Sequence, residues 1–394
     1  MTDGGQAELA AFADVPYALY IAMLTLAGWG ALMALRGDFW RADQRLVEGD
    51  YQPEWTPRIA VVVPARNEAD VIGQALSSIA AQNYDGDVGI FVVDDRSSDA
   101  TAAVAGQVPG VSVVTGTDAP PGWTGKMWAV SQGIDAAKAA APDAEFIWLT
   151  DADIDHHPGE LASLVAAADS EGLDLNSVMV RLRVERLWDI LLIPAFVFFF
   201  QKLYPFPWVN DPARKTAAAA GGSMLVRQSA LARIGGVKAI AGELIDDCAL
   251  AVKIKSTGGR IRLSLATETR SIRAYGSLCD IWRMVARTAF HQLGYSALQL
   301  VGTVVAMMFL YLAPPVLTIA AAFAGETPTS AAAFAAWFAM GWAYAPTLYR
   351  YGLSPYYGFT LPLAGLLFIL MTLDSARRHW QGKGGEWKGR TYRP

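Results

Sequence analysis

The sequence has little charge and little cysteine for its length. Of its 394 residues 18% are charged, whereas soluble globular proteins carry about 25%, and so little charge excludes a charge-rich disordered chain. The net charge of −5 gives no positive surface for non-specific nucleic-acid binding, and we expect no nucleic-acid partner. Two cysteines, Cys248 and Cys279, form no disulfide framework, which fits a reducing compartment.

Two common nucleotide-binding motifs are also absent. The sequence contains neither G-x-G-x-x-G nor G-x-x-x-x-G-K-[ST], which disfavours a dinucleotide-dependent oxidoreductase and a P-loop ATPase. The 36 glycines follow no three-residue repeat, and this excludes a collagen-like chain.

Apolar residues are abundant and concentrated in two regions. They make up 53% of the chain, and the first region, Tyr17 to Leu35, carries no charge and has the length of a bilayer crossing. It is too long for a signal peptide. Arg36, Arg41 and Arg45 follow it, so the positive-inside rule places the next residues in the cytoplasm. We therefore predict a transmembrane anchor over residues 1–40.

The second apolar region, residues 297–374, predicts a C-terminal membrane domain with segments at 297–323, 331–349 and 357–373. Three full crossings would place the basic tail, residues 375–394, outside the cell, against the positive-inside rule. We therefore expect one segment to be re-entrant or split. The Pro314–Pro315 pair makes the first segment the best candidate.

A shorter apolar stretch, within residues 188–208, is about half a membrane span and contains Pro194, Pro205 and Pro207. A helix lying in the membrane interface fits it better than a crossing. A buried core helix is the alternative.

Residues 55–290 have the pattern of a water-soluble α/β domain. Three short apolar runs predict buried strands, namely RIAVVV at 58–63, VGIFVV at 88–93 and FIWLT at 146–150. Helical spacing follows the first run, with Asn67 placed as N-cap, and a second helix is predicted over 126–140. Such alternation predicts a mostly parallel sheet covered on both faces. Ligands of such sheets bind beyond the carboxyl ends of the strands.

The informative motifs fall at those strand ends. The first strand is followed by P-A-R-N-E and the second by D-D-R-S-S-D. Acidic side chains there can accept hydrogen bonds from ribose hydroxyls or a base, or can cap the next helix.

Two carboxylates, Asp151 and Asp153, follow the third strand. On an extended segment they point the same way, and a hard cation such as Mg²⁺ or Mn²⁺ would offset their repulsion. His156 and His157, just beyond, are expected in a solvated loop.

Two further sets of charged residues follow. Asp246 and Asp247 open a predicted helix, where the helix dipole stabilises them or one serves as a general base. Arg273, Arg283 and Arg287 precede the membrane segments. They can hold a diphosphate or form the cytoplasmic flank of a membrane helix.

Taken together over about residues 58–290, these motifs resemble the inverting glycosyltransferases of family 2, which have the GT-A fold. The resemblance is carried by VVVPARNEAD, FVVDDRSSDAT, LTDADID and LIDDCALAVKIKSTGGRIRL. It implies that Asp151 and Asp153 bind the metal and the donor diphosphate, that Asp247 is the base, and that Asp246 lies on the acceptor side. It assigns nucleotide binding to Pro64, Ala65, Arg66, Glu68, Asp94 and Asp95.

A narrower resemblance, to the hopene-associated glycosyltransferases, rests on PGWTGKMWA at 121–129 and WKGR at 387–390. It implies that Lys126 reaches toward the donor, with Arg283 or Arg287 steadying the leaving group. Gly221, Gly222 and Ser223 would line the acceptor side. The sequence lacks the tryptophan that follows the Q/R-x-x-R motif of processive members, and this favours a single transfer.

The resemblance implies transfer of one sugar, with inversion, from a nucleotide-diphospho-sugar such as a UDP-sugar. The expected acceptor is a lipid hydroxyl, on a hopanoid or a related isoprenoid or sphingolipid-like lipid. A polyprenyl-phosphate glycosyltransferase and a non-catalytic donor-binding scaffold are the alternatives. The expected location is the bacterial cytoplasmic membrane, crossed several times, with the catalytic domain in the cytoplasm.

Overall fold

A computed structural model describes residues 17–49 and 53–382, together with two short strands, Glu386–Trp387 and Arg390–Thr391. The first 16 residues of the predicted anchor lie outside the described residues. So does most of the predicted basic tail beyond residue 382, including Lys388 and Gly389 of the WKGR motif.

The three predicted strands are confirmed. The catalytic region contains eight strands in one sheet, in the order β3-β2-β1-β4-β7-β6-β8-β5. These strands are β1 Ile59–Ala65, β2 Val88–Asp94, β3 Val111–Thr115, β4 Phe146–Thr150, β5 Ile154–Asp155, β6 Leu175–Arg181, β7 Ser223–Arg227 and β8 Ile261–Ser271. Strand β7 runs antiparallel to β4 and β6, and β5 runs antiparallel to β8. The sheet is therefore mixed but mostly parallel, as predicted.

Helices cover both faces of this sheet because its central strand is apolar on both. Every residue of β1 is buried, and alternate side chains enter two separate apolar clusters. Around and after the sheet the helices are α1 Tyr17–Leu35, α2 Ile72–Ala80, α3 Thr101–Ala105, α4 Gly125–Ala140, α5 Glu160–Glu171, α6 Leu187–Leu203, α7 Phe206–Asn210, α8 Gln228–Arg233, α9 Asp246–Ser256 and α10 Leu278–Gln292.

Asn67 is not the N-cap of α2, which corrects the sequence prediction. Helix α2 begins at Ile72 and has no side-chain cap. Asn67 instead adopts a left-handed conformation, with φ of 51°, and its Oδ1 accepts a hydrogen bond from the Ser98 N–H at 2.8 Å. Parallel pairing places Ala65 beside Asp94, so the loops after β1 and β2 lie side by side and bind each other.

The membrane region contains α1 and four C-terminal helical pieces. These are α11 Ala297–Met307, α12 Ala313–Phe323, α13 Thr327–Arg350 and α14 Leu361–Trp380. Three stretches are long and apolar enough to cross a membrane, namely Tyr17–Leu35, Ala297–Phe323 and Pro355–Trp380. Helix α13, with 24 residues, has the length but is less apolar.

The Pro314–Pro315 pair does not split the first C-terminal segment. Helix α11 continues through a π-helical turn, Met308–Leu312, directly into α12. Both prolines stand in the first turn of α12, where a missing N–H breaks few hydrogen bonds. The expectation that this segment is the interrupted one is therefore corrected.

The third C-terminal segment starts and ends beside the catalytic domain. Just before its start, Arg350 at the end of α13 donates to the backbone oxygens of Met179 and Ala266 in the sheet. At its end, Asp374 accepts from Trp282 Nε1 of α10 at 2.9 Å. Between these points a 3₁₀ helix, Pro355–Thr360, packs against the middle of α13, where Gly358 meets Gly341. This segment is therefore the re-entrant candidate.

The stretch within residues 188–208 forms α6, whose centre is buried, as the core-helix alternative predicts. Phe198 contacts Tyr344 of α13, and Phe199 contacts Phe368 of α14. Its exposed large apolar side chains are confined to its two ends, with Leu187 and Trp188 in the first turn and Leu203 in the last. Helix α6 thus joins the catalytic domain to the membrane helices.

We expect that cysteine labelling of intact cells will place both ends of the re-entrant segment on the catalytic side. In a Cys279→Ser background, Ala324→Cys in the α12–α13 turn should react with a membrane-impermeant maleimide. Gln381→Cys should react only after the cells are permeabilised, because Asp374 and Trp282 hold the end of α14 beside the catalytic domain. Labelling of Gln381→Cys in intact cells would contradict this topology.

Candidate active site

The loops after β1 and β2 form one polar surface at the carboxyl edge of the sheet. Arg66 donates to the backbone oxygens of Asp95 and Arg96, and its guanidinium lies 3.6 Å from the Asp95 carboxylate. Asp94 and Asp95 are both buried. These contacts bring the predicted nucleotide-binding residues together, with Pro64 and Ala65 at the end of β1.

Lys126 lies at the centre of the site. Thr124 caps α4 by accepting from the Met127 N–H, which places Lys126 in the first turn. Its Nζ is 3.0 Å from Asp151 Oδ1 and 3.2 Å from Asp246 Oδ2. Burial alone would lower the pKa of Lys126, but the surrounding carboxylates, Asp247 included, hold it above its ordinary value.

Asp246 and Asp247 face different partners, although they are adjacent. Asp246 lines the cleft together with Lys126, Asp151 and Gly221. Asp247 accepts from the N–H groups of Gly221 and Cys248, at 2.8 and 2.7 Å. Burial, reinforced by the Asp246 charge, raises the pKa of Asp247 to about 6. A carboxylate with this pKa is suited to accept a proton near neutral pH.

Gly221 allows the turn that precedes β7 to approach this cluster. A Cβ atom at Gly221 would lie 3.5 Å from both Asp247 Oδ2 and Lys126 Nζ. A larger side chain would occupy the space between the lysine and the carboxylate. Gly221 therefore lies in the site, as predicted.

Arg273 connects the two halves of the site, a role that the sequence did not single out from the other arginines. Its Nη2 is 2.7 Å from both carboxylate oxygens of Glu68, and its Nε is 2.7 Å from Asp153 Oδ2. Burial raises the pKa of Asp153 above its ordinary value, while Arg273 opposes that rise. Glu68, placed among the nucleotide-binding residues by resemblance, is here a partner of Arg273.

His156 is buried rather than in a solvated loop, which corrects the sequence prediction. Its Nδ1 lies 2.6 Å from Glu160 Oε2, and its Nε2 lies 2.9 Å from the Thr150 hydroxyl. That hydroxyl also donates to the Gly222 oxygen. His156 and Glu160 thus form a buried pair, and the contact with His156 helps to hold the pKa of Glu160 below its ordinary value.

Ser223 belongs to this buried network and not to the cleft. Its hydroxyl accepts from Trp148 Nε1 at 2.9 Å and donates to Glu160 Oε1 at 2.7 Å, and the residue is fully buried. Gly222 packs against Val180. The structure therefore places the Ser223 side chain in the buried network, because β7 turns it away from the cleft.

The two arginines of α10 differ in their surroundings. Arg283 is exposed and pairs with Asp280 of the same helix, with 2.8 Å between Nη2 and Oδ1. Arg287 lies close enough to Tyr275 to influence it electrostatically, as does Asp153. Arg287 therefore lies nearer to the site than Arg283 does. Arg283 pairs with Asp280 and does not line the cleft.

The donor set fits a hard divalent cation. Asp151 has a 37% exposed side chain that lines the cleft, and Asp153 presents a second carboxylate nearby. The described residues contain no group of three or more His, Cys, Asp or Glu arranged for metal binding. Mg²⁺ and Mn²⁺ sites that use one or two carboxylates and complete their coordination with substrate phosphates need no such group.

Comparison with known families decides the assignment of the chain. A family model described as glycosyltransferase like family 2 matches residues 57–287, which is more than half of the chain and includes every residue of the cleft. The chain belongs to glycosyltransferase family 2.

Individual relatives agree with this assignment. Two curated 4,4'-diaponeurosporenoate glycosyltransferases, from Staphylococcus aureus strains MRSA252 and bovine RF122 / ET3-1, are each 37% identical over 94 residues, or 23% of this chain and 24% of theirs. The family 2 protein thus spans about a quarter of their length. A mannosyltransferase from Pyrobaculum calidifontis, solved with GDP-Man and Mn²⁺, covers 92% of this chain and 99% of its own, with 20% identity and a TM-score of 0.53. That likeness confirms the predicted GT-A fold.

We expect His156→Ala to lower the free energy of unfolding by about 3 kcal/mol, because removal of one partner leaves the buried charge of Glu160 uncompensated. Thermal unfolding in detergent, followed by tryptophan fluorescence, measures the change. The exposed Ser170→Ala is the matched control, since its hydroxyl reaches only its own helix. An unchanged melting temperature for His156→Ala would contradict the ion pair.

Proposed function

We propose that this family 2 protein transfers a single sugar, with inversion, from a nucleotide-diphospho-sugar to the hydroxyl of a membrane lipid. The observation that carries the proposal is the grouping of Lys126, Asp151, Asp246 and Asp247 around one cleft at the carboxyl edge of the sheet. Departure of a diphosphate requires a nearby cation, which Lys126 provides. Activation of a hydroxyl requires a general base, which Asp247 provides in the same cleft.

The donor would lie along the joined loops after β1 and β2, with its diphosphate toward Lys126. Asp151 and Asp153 would hold Mg²⁺ or Mn²⁺, which would supply positive charge beside the departing diphosphate. Lys126, now paired with Asp151 and Asp246, is within reach of the same place. We expect it to bind the diphosphate electrostatically, since a lysine ammonium is a mobile point charge.

Asp247 would act as the base. The acceptor oxygen forms a bond to the anomeric carbon on the face opposite the diphosphate, and its proton passes to Asp247. The bond from the anomeric carbon to the diphosphate oxygen breaks, and its electron pair leaves with the diphosphate. The two N–H groups that bind Asp247 fix its orientation, and its raised pKa suits proton acceptance.

The membrane region supports a lipid as acceptor. Helix α6 and the re-entrant segment lie between the catalytic sheet and the apolar helices, so a lipid would reach the cleft without leaving the bilayer. The relatives that act on 4,4'-diaponeurosporenoate also point toward a lipid-like acceptor. Among lipids we favour a hopanoid or a related isoprenoid, and we place the catalytic domain on the cytoplasmic side of a bacterial membrane.

A polyprenyl-phosphate acceptor is the second candidate. Arg45, Arg181 and Arg350, which form no ion pair with a carboxylate among the described residues, lie where α13 meets the sheet and favour it. A phosphate acceptor is already ionised and scarcely needs a base. The two candidates therefore differ in whether Asp247 is required.

We expect Asp247→Asn to reduce kcat by about 100-fold to 10,000-fold, the usual contribution of a general base, while donor binding is retained. Asp246→Asn should chiefly raise the KM for donor, because Asp246 is a partner of Lys126. Steady-state kinetics and nucleotide titration separate these effects. Normal turnover in Asp247→Asn would remove the base assignment and favour a phosphate acceptor, and the exposed Asp169→Asn is the control.

The pH dependence of kcat gives an independent check. Because the pKa of Asp247 is raised to about 6, the base is deprotonated above that pH and becomes protonated below it. We expect kcat to fall roughly tenfold per pH unit on the acid side. Enzyme held at low pH and assayed at neutral pH controls for unfolding. A kcat that stays constant well below pH 6 is incompatible with this base.

The donor and the need for metal can be found in one assay. Purified protein is incubated with a bacterial lipid extract and a panel of radiolabelled nucleotide sugars, with and without EDTA. We expect one donor to label the organic phase, and EDTA to abolish the label because Asp151 and Asp153 then lack their cation. Nucleotide binding without transfer from any donor would favour the scaffold alternative.

A further inference from the structure

Three arginines gather where α13 meets the catalytic sheet. Arg350 ends α13, and its Nη2 donates to the Met179 oxygen at 3.1 Å. Arg181 ends β6, two residues beyond Met179. Arg45 pairs with β8 through an isolated bridge to Leu265. Arg181 and Arg45 both lie close enough to Arg350 for their charges to repel it.

None of these arginines forms an ion pair with a carboxylate among the described residues. Arg45 and Arg350 donate to backbone oxygens, and Arg181 lies over the ring of Tyr351, with its Cζ 5.8 Å from the ring centroid. The Tyr351 hydroxyl and Arg350 Nε are both buried, and Tyr351 interacts with Arg350 and with the Leu182 backbone. Like charges held together in this way are costly unless an anion accompanies them.

The place of the cluster indicates the kind of anion. Arg350 stands at the end of the 24-residue helix α13, where this helix meets the catalytic domain. We expect the headgroups of the bilayer to lie at this depth. Arg181 and Arg350 are half-buried and Arg45 is exposed, so solvent or a headgroup can reach the cluster. Guanidinium groups bind phosphate oxygens in pairs of hydrogen bonds.

The cluster also lies near the proposed acceptor side. Tyr275 is close enough to Tyr351, Arg287 and Asp153 for each to influence it electrostatically. Tyr351 and Tyr275 would therefore separate a headgroup held at Arg181 from the Asp153 carboxylate.

We propose that Arg45, Arg181 and Arg350 form a binding site for the phosphate of a lipid headgroup at the junction of the catalytic and membrane regions. The phosphate belongs either to the acceptor itself or to a neighbouring membrane phospholipid. The site is defined by binding and stands whether or not the proposed transfer to a hydroxyl is correct.

Lipid retention by the full-length protein tests the site. The protein is placed in nanodiscs of phosphatidylcholine with and without phosphatidylglycerol, and the lipid that stays bound is counted by native mass spectrometry. We expect selective retention of phosphatidylglycerol, weakened about tenfold by Arg181→Gln. Arg183→Gln is the matched control, because Arg183 is exposed on the same segment and pairs with Glu185 at 2.9 Å.

Arg181→Gln is preferred to a change at Arg350, whose hydrogen bonds to the sheet contribute to folding. Arg45→Gln, at an exposed position, provides a second variant and should weaken retention in the same direction. Equal retention of phosphatidylglycerol by the wild type and both variants, or no preference over phosphatidylcholine, overturns the proposal.

Dodecyl phosphate identifies the source of the phosphate. If it binds in an Arg181-dependent way and becomes glycosylated when donor is added, the site holds the acceptor. If it binds in the same way, remains unmodified and is displaced by phosphatidylglycerol, the site holds a membrane phospholipid. Arg181-dependent binding by protein that transfers no sugar to any lipid of the bacterial extract leaves the site intact and argues against the proposed function alone.

Discussion

The ammonium group of Lys126 is the interaction on which the cleft depends. Asp151, Asp246 and Asp247 come from two separate parts of the chain, and three carboxylates in one partly buried place would repel one another. Lys126 offsets that repulsion through contacts of 3.0 and 3.2 Å to two of them. It holds this position because Thr124 fixes the first turn of α4. The end of β4 and the start of α9 are thereby joined through one charge.

Arg273 repeats this arrangement on the other side. It joins Asp153, in the loop after β4, to Glu68, in the loop after β1. Beneath both, the buried pair of His156 and Glu160 supports the loop of Asp151 and Asp153 through Thr150. Lys126 and Arg273 thus neutralise the carboxylates of the cleft. A bound donor and its metal ion would bring further charge to the same place. Such a site is preorganised for charge that changes during reaction.

Sequence patterns predicted the fold well, because burial leaves a periodic signal that a single chain can carry. The runs at β1, β2 and β4 are apolar since both faces of the sheet are covered. The surroundings of Asn67, His156 and Ser223 have a different origin. Each forms a hydrogen bond to a residue distant in the sequence, Asn67 to Ser98, the His156 N–H to Ser78 and Ser223 to Trp148. Such partners are defined by strand order, which local sequence does not contain.

The same distinction explains the membrane region. Hydropathy locates apolar segments, but it does not tell which ends meet the catalytic domain. Arg350 settles one end by binding the sheet and Asp374 settles the other by binding α10, so the segment between them begins and ends beside the catalytic domain. Arg377 and Arg378, in the last turn of α14, lie on that side, in agreement with the positive-inside rule. The polar contacts at the ends of the helices, more than their apolar length, thus define how the catalytic cleft is held against the bilayer.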